Sequence, residues 1–292
     1  MEPCYATTAG SNFAGFRPSL SGASGTATRG VWSILANSPT ILTFVTDDKT
    51  LAPSVLPLTP FFDFHAPSVN SAGEVAFRGC VNSSCSNDGI WKGSNAATLG
   101  LVALALKPAP DDLGSTSAAQ FEFTDFSNPT INSSGHVVFQ SAIRTTATQQ
   151  PAGNGIWAES IHAPGLARIV KTGDRLRNTN LTFTSIDPIG TFTGFVMNDQ
   201  DQLVFTADVT DGTTVTKGLF FVTPGLNSVF KIARVSEFYD VAGSAKQINF
   251  IDFHAGAIDQ GASGFTHDGT VAYRVNFTID GTRALILTTI DT

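Results

Sequence analysis

Hydrophobic and polar residues follow one pattern that recurs along the chain. Residues 67–77 read PSVNSAGEVAF, and related segments lie at residues 129–139, 196–205 and 265–273. In each copy a short apolar stretch leads into a polar turn, and apolar positions then alternate with other residues. Gly occupies the turn in three of the four copies, where it tolerates the positive φ of a tight hairpin. Each copy therefore predicts two antiparallel strands, A and B.

A second signature begins the next predicted strand, C. It is Gly followed by an apolar and an aromatic residue at residues 30–32, 89–91, 155–157 and 218–220, with residues 283–285 as the fifth equivalent. The central residues of these triplets are 59, 66, 63 and 65 positions apart. A fourth strand, D, is predicted at residues 41–46, 101–106, 167–171 and 231–235. A repeat of four strands with this period is typical of the blades of a β-propeller.

We therefore predict an all-β fold: a single five-bladed β-propeller with four-stranded blades that spans residues 1–292. The blades are expected at residues 13–47, 61–106, 123–171, 187–236 and 252–291. The last repeat has no strand D, so residues 4–9 are expected to supply it by pairing with residues 285–290. Pairing of an N-terminal strand with a C-terminal strand would close the ring and remove an open sheet edge. A six-bladed ring with one unrecognised blade is the alternative.

Composition and charge narrow the classes of partner. Charged residues make up only 14% of the 292 residues, the net charge is −7 and the isoelectric point is near 5.1. An acidic chain without a Lys/Arg run is a poor partner for a phosphate backbone, so nucleic acid is not expected. No apolar run is long enough to span a bilayer. The 23 Phe residues suit a propeller, because aromatic rings can fill the gaps between twisted sheets.

Cysteine is sparse, at Cys4, Cys80 and Cys85. Cys80 and Cys85 flank four residues between predicted strands B and C, and we expect a disulfide that closes this hairpin loop. The alternative is a pair of free thiols. Four intervening residues are not a strong metal-binding spacing on their own.

The Asn-x-x-Gly-x-Val-x-Phe and Gly-Ile-Trp signatures resemble those of a group of exported bacterial repeat proteins of uncharacterised function. Many members of that group carry surface-sorting tails. The similarity is close over repeats two to four and looser over repeats one and five. It implies a propeller that is secreted or extracytoplasmic, and it transfers no catalytic residues.

Candidate chemistry lies where strand D of one blade connects to strand A of the next. Asp precedes Phe in three of these connections. Asp63 and Asp252 each begin an Asp-Phe-His-Ala segment, and Asp125 begins Asp-Phe-Ser-Asn. Asp187 is the expected fourth member, His65 and His254 accompany two of the carboxylates, and Arg17 is the candidate of the first blade. If the copies are equivalent, these side chains converge on one mouth of the central channel.

Three interpretations of this set stay open. Asp63, His65, Asp252 and His254 could hold a divalent metal at the channel mouth, which is the only cofactor the sequence suggests. Asp63, Asp125 and Asp252 could act as acid, base or nucleophile, since neighbouring carboxylates repel and their pKa values diverge. The third interpretation is architectural and is favoured by repetition itself: an Asp at each strand start accepts hydrogen bonds from backbone amides.

The sequence favours a binding or surface-interaction module over an enzyme. Carbohydrate is the expected ligand class by analogy with other propellers, and a glycan or cell-surface partner follows from it. The enzymatic alternative is a glycoside hydrolase or polysaccharide lyase that uses the Asp and His residues of the channel mouth. A structural subunit of a surface assembly is the second alternative.

Overall fold

The computed structural model describes residues 13–16, 19–21, 27–35, 42–110, 120–161, 165–186, 194–225, 228–253, 264–278 and 281–290. Within these ranges the chain forms β-strands and turns and no helix. The strands form five antiparallel sheets that follow one another along the chain. The all-β prediction is therefore confirmed.

Sheets 1 and 2 contain the first nine strands. Sheet 1 consists of β1 (Phe13–Phe16), β2 (Ser19–Ser21), β3 (Ala27–Leu35) and β4 (Leu42–Asp47). Sheet 2 consists of β5 (Asp63–Phe64), β6 (Ser68–Val69), β7 (Val75–Cys80), β8 (Asp88–Gly93) and β9 (Gly100–Leu104).

The remaining fifteen strands form three sheets. Sheet 3 consists of β10 (Pro108–Ala109), β11 (Phe121–Phe126), β12 (Thr130–Ile131), β13 (Val137–Thr145), β14 (Pro151–Glu159) and β15 (Leu166–Lys171). Sheet 4 consists of β16 (Thr182–Ile186), β17 (Phe195–Met197), β18 (Leu203–Thr210), β19 (Val215–Val222) and β20 (Phe230–Arg234). Sheet 5 consists of β21 (Phe238–Val241), β22 (Ser244–Asp252), β23 (Thr270–Phe277) and β24 (Arg283–Thr289).

Strand A of the repeat is built from two segments in sheets 2, 3 and 4. In sheet 2, β6 pairs with the start of strand B (β7) and β5 pairs with its end. The same division separates β12 from β11 and β17 from β16. Each sheet therefore has two distinct edges. Here the word edge refers to the two ends of the strands. The end of the sheet where A turns into B is called the Asn edge below, and the opposite end, where A begins and B ends, is called the loop edge.

Consecutive sheets pack face to face through buried apolar side chains. Val31 and Val45 of sheet 1 lie in one cluster with Phe77 and Trp91 of sheet 2. The other face of sheet 2, which includes Ile90, packs on sheet 3. Further clusters join sheet 3 to sheet 4 and sheet 4 to sheet 5. This serial face-to-face stacking of antiparallel sheets is the packing of propeller blades.

The Gly-x-aromatic signature of strand C has a steric cause. The ring of Trp91 lies back over Gly89, and a Cβ on Gly89 would come within 2.8 Å of that ring and 2.6 Å of the Ala103 carbonyl oxygen. A Cβ on Gly155 would meet the Trp157 ring at 3.0 Å. The absence of a side chain therefore makes room for the ring, which is fully buried in both sheets.

Three buried Asn residues link consecutive sheets at the Asn edge. Asn70, Asn132 and Asn198 each accept the backbone amides two and four residues later, which fixes the A–B turn. Each also donates from Nδ2 to a backbone carbonyl in the next sheet, at Asn132, Asn198 and Thr266 respectively. The repeat's Asn is therefore both a turn residue and a connector between sheets.

Sheet 5 ends the described stack. Its outer strand β24 pairs only with β23 among the described strands, and Leu285 and Leu287 on it are 72% and 67% exposed. Residues 4–9, the predicted closing strand, lie outside the described residues. The described part of the chain has no helix that is long and apolar enough to cross a membrane.

Candidate functional site

Asp63 and Asp125 occupy matching positions at the loop edge. Asp63 is opposite Cys80 on strand B of sheet 2, and Asp125 is opposite Ala142 on strand B of sheet 3. The Oδ1 atom of each accepts the backbone amide of the Phe that follows, at 2.8 Å in both cases. This is the amide-capping geometry of the architectural interpretation, and it coexists with the ion pairs described next.

Three carboxylates of the predicted set pair with guanidinium groups. Asp125 lies 2.6 Å from Arg78, Asp252 lies 2.7 Å from Arg274, and Asp63 lies 3.5 Å from Arg29. The side chains of Asp125 and Asp252 are about half exposed, so their remaining acceptor sites face solvent. Both partners are partly exposed in the Asp252–Arg274 and Asp63–Arg29 pairs, whereas Arg78 is mostly buried beside Asp125.

Arg78 is the centre of the most extensive of these networks. It lies on the face of sheet 2 that packs on sheet 3, because it follows Ala76 by two residues along β7 and side chains two residues apart in a strand share a face. Its Nε donates to Asp88 Oδ2 at 2.6 Å, and its terminal nitrogens donate to Asp125 Oδ1 and to the Phe126 carbonyl oxygen. One guanidinium thus fixes the loop edge of sheet 2 to that of sheet 3.

Asp88 is the buried member of this network. Burial raises the pKa of Asp88 to about 6, and the negative charge of Asp125 adds to the increase, while Arg78 opposes both effects. Its Oδ1 atom is buried and has no hydrogen-bond partner among the residues that the structure describes. Because the side chain is only 1% exposed, Asp88 acts on Arg78 and not on a bound molecule.

His65 lies beside the disulfide. Cys80 and Cys85 are joined by an S–S bond, and the Nε2 atom of His65 is 3.7 Å from Cys80 Sγ. Among the described residues, His65, Cys80 and Cys85 form a group whose potential ligand atoms all lie within 4.8 Å of one another. The described side chains thus place His65 in a group with the two Cys residues, whereas the sequence grouped it with Asp63 and Asp252.

The strand register does not support an equivalent Asp in every sheet. Asp63 and Asp125 face Cys80 and Ala142 of strand B. The corresponding residue of strand A is Ser185, opposite Asp208, in sheet 4 and Phe250, opposite Asn276, in sheet 5. Asp252 lies two residues further along, opposite Arg274. The shared letters Asp-Phe-His-Ala therefore do not mark the same place in sheets 2 and 5. Asp187, His254 and Arg17 lie outside the described residues.

Arg78 and Asp88 were missed by the sequence analysis. Both had a usable signal: Arg78 is a charge inside an apolar strand B, and Asp88 directly precedes the Gly of strand C. The same two positions in sheet 3 hold Gln140 and Asn154, and both donate to the Ile186 carbonyl oxygen in sheet 4. Arg78, Gln140 and Asn154 thus reach across to the next sheet, whereas Asp88 contacts Arg78 within its own sheet.

A profile described as a family of unknown function, DUF7453, matches residues 10–289. The chain belongs to this family. A comparison with curated protein sequences found no match.

Solved structures that resemble the chain do so distantly. The β-propeller domain of the trilobed protease from Pyrococcus furiosus is 7% identical, with 100% of this chain and 83% of that one covered, at a TM-score of 0.36. A PL25 ulvan lyase is 4% identical over 95% and 64% of the two chains, also at 0.36. An α-L-arabinofuranosidase from Lactobacillus brevis is 9% identical over 98% and 90%, at 0.31. At these values no function is carried over to this chain.

Proposed function

We propose that the chain is an extracytoplasmic, five-bladed β-propeller that binds carbohydrate at its loop edge. Each of the five described sheets would be one blade. The Cys80–Cys85 disulfide supports the location, because such bonds persist mainly in oxidising compartments. Closure would place residues 4–9 against β24, whose apolar Leu285 and Leu287 are exposed among the described residues.

The exposed carboxylate–guanidinium pairs carry the proposal. A sugar hydroxyl both donates and accepts, so a carboxylate and a guanidinium side by side offer it both complementary partners. Asp252 with Arg274 and Asp63 with Arg29 provide two partly exposed pairs of this kind, and Asp125 adds a half-exposed carboxylate beside the mostly buried Arg78. Phe62, which is 47% exposed and adjacent to Asp63, supplies an apolar surface for a sugar ring.

A thermal-shift titration with neutral and acidic oligosaccharides tests this proposal. A ligand that binds only the folded chain raises the melting temperature. We expect a rise for the wild type that is lost in Asp125→Ala, and kept in Asp199→Ala, which alters an exposed carboxylate at the Asn edge. Equal shifts in both variants, or none with any sugar, would reject the loop edge as the binding surface.

A second candidate function is polysaccharide cleavage by a lyase or hydrolase. The observation that favours it is the contact between Arg78 and Asp125 at 2.6 Å, with His65 next to Arg78 in the sheet, where its amide donates to the Arg78 carbonyl oxygen. In a lyase, Arg78 would neutralise a uronate carboxylate while His65 removed the adjacent carbon-bound proton. The electron pair of that C–H bond would form a double bond, and the glycosidic oxygen would leave and take up a proton.

Product analysis separates cleavage from binding. An unsaturated, ultraviolet-absorbing end appears with a lyase, and a new reducing end without it appears with a hydrolase. For the lyase we expect His65→Ala to abolish turnover with little change in melting temperature, and for a hydrolase that uses Asp63 as acid, base or nucleophile we expect the same of Asp63→Asn. An Asp63→Asn variant that mainly melts earlier would identify Asp63 as a capping residue.

A further inference from the structure

We infer that reduction of the Cys80–Cys85 disulfide creates a zinc-type metal site formed by Cys80, Cys85 and His65. Two thiolates and an imidazole are a ligand set that Zn²⁺ prefers, and three protein ligands leave its fourth position open. This inference does not depend on carbohydrate binding.

The distance between His65 and Cys80 already fits a metal. With Zn–S near 2.3 Å and Zn–N near 2.0 Å, two ligands at a tetrahedral angle stand about 3.6 Å apart. The observed separation of His65 Nε2 and Cys80 Sγ is 3.7 Å. Both residues are fixed by strand B: Cys80 belongs to β7, and the His65 amide donates to the Arg78 carbonyl oxygen at 2.8 Å.

Cys85 is the ligand that has to move. Two thiolates on one zinc ion lie about 3.8 Å apart, so the sulfur atoms must separate after the covalent bond is broken. Cys85 lies in the B–C loop among exposed Ser83, Ser84 and Ser86, and outside the strand pairing. A shift of this loop brings its sulfur to ligand distance while the two strand-bound ligands stay in place.

The chemistry needs an external dithiol. Its first thiolate attacks the partly exposed Cys85 sulfur and releases Cys80 as a thiolate beside His65. Its second thiol attacks the resulting mixed disulfide, which releases Cys85 and leaves the reagent as a disulfide. The metal then binds two thiolates and neutral His65, and any protons still held by the thiols are released to water. Reoxidation would expel the metal.

Cobalt titration provides a direct test, because Co²⁺ replaces zinc and absorbs in the near ultraviolet when thiolates bind it. The full chain carries Cys4→Ser, so that only Cys80 and Cys85 can contribute sulfur. It is reduced with an excess of dithiol, which is removed by anaerobic gel filtration before cobalt is added, because a dithiol also binds the metal. We expect one Co²⁺ per reduced chain with a thiolate-to-cobalt band, displacement by Zn²⁺, and no band for the oxidised chain.

Variants assign the ligands. We expect His65→Ala to weaken Co²⁺ binding by at least about tenfold, because one of three protein ligands is lost. His267→Ala, a change at an exposed turn of the Asn edge, should leave the affinity unchanged, and Cys85→Ser should reduce the thiolate band. The inference is overturned if the reduced chain gives no band, or if His65→Ala binds as tightly as His267→Ala while circular dichroism shows both folded.

Discussion

The side-chain amide of Asn70 donates a 2.9 Å hydrogen bond to the backbone carbonyl of Asn132, 62 residues later and in the next sheet. Asn132 repeats the contact to Asn198 at 3.1 Å, and Asn198 repeats it to Thr266 at 3.2 Å. All three side chains are nearly fully buried, so the loss of one of these hydrogen bonds would leave a buried polar group with one partner fewer and lower the free energy of unfolding. The most regular polar feature of the repeat therefore holds neighbouring sheets together.

Asn132→Ala should lower the free energy of unfolding by about 2 kcal/mol, since it leaves buried or half-buried backbone groups without partners. The amides of Ser134 and His136 lose their acceptor, and the carbonyl of Asn198 loses one of two donors, since it still accepts the Asp201 amide. A fall of roughly 5 °C in melting temperature follows for a domain of this size. Ser133→Ala in the same turn is the control, because its side chain is exposed. Equal stability of the two variants would show that the Asn contacts contribute nothing.

Gly89→Ala should destabilise the chain by about 1–3 kcal/mol through overpacking. The new Cβ would lie 2.6 Å from the Ala103 carbonyl oxygen, which belongs to a paired strand and cannot easily withdraw. Gly100→Ala in the same sheet is a matched control, since a Cβ there meets nothing within 4 Å. Urea unfolding of both variants measures the difference, and a loss of similar size in Gly100→Ala would refute the steric explanation.

Asp88 should make the chain less stable as pH rises from about 4 to about 7. Burial raises the folded pKa to about 6, above the reference value of 3.8, so the folded chain holds more protons in this range. Stability is therefore fully present below the reference pKa and is lost as pH rises through the folded value. Relative to Asp88→Asn, the wild type should lose on the order of 2–3 kcal/mol across the range.

Asp211 provides a control of opposite sign for this measurement. Hydrogen bonds from the Thr213 hydroxyl and from the amides of Thr214 and Thr213 hold the pKa of Asp211 well below its usual range. Its contribution is therefore present above the unfolded pKa and is lost as pH falls, so Asp211→Asn should lose stability relative to wild type at neutral pH and not in acid. A flat difference between Asp88→Asn and wild type, beside a sloping one for Asp211→Asn, would argue against a titrating Asp88.

Deletion of residues 1–10 should lower the melting temperature by many degrees if this segment closes the ring. Without it, β24 would keep an open edge with Leu285 and Leu287 exposed. Leu285→Ser should then cost far more stability in the full chain than in the truncated one. An unchanged melting temperature after the deletion would reject the closure proposal.

The sequence by itself determined the all-β class, the position of most strands and the buried role of the Trp residues. These features are local. A strand is predicted from alternating apolar and polar residues, a hairpin from its turn residues, and the position of a buried aromatic ring from the Gly two residues before it. Strand β15, for example, covers Leu166–Lys171, where strand D was predicted at residues 167–171.

Only the tertiary structure decided which of the repeated residues meet. The equivalence of Asp63 and Asp252 failed because strand register, and not shared letters, sets the position of a residue in a sheet. Arg78 contacts Asp125, which lies 47 residues later in the chain. His65 contacts Cys80 because strand A lies beside strand B. Such contacts depend on the twist and spacing of neighbouring sheets, which no single repeat encodes.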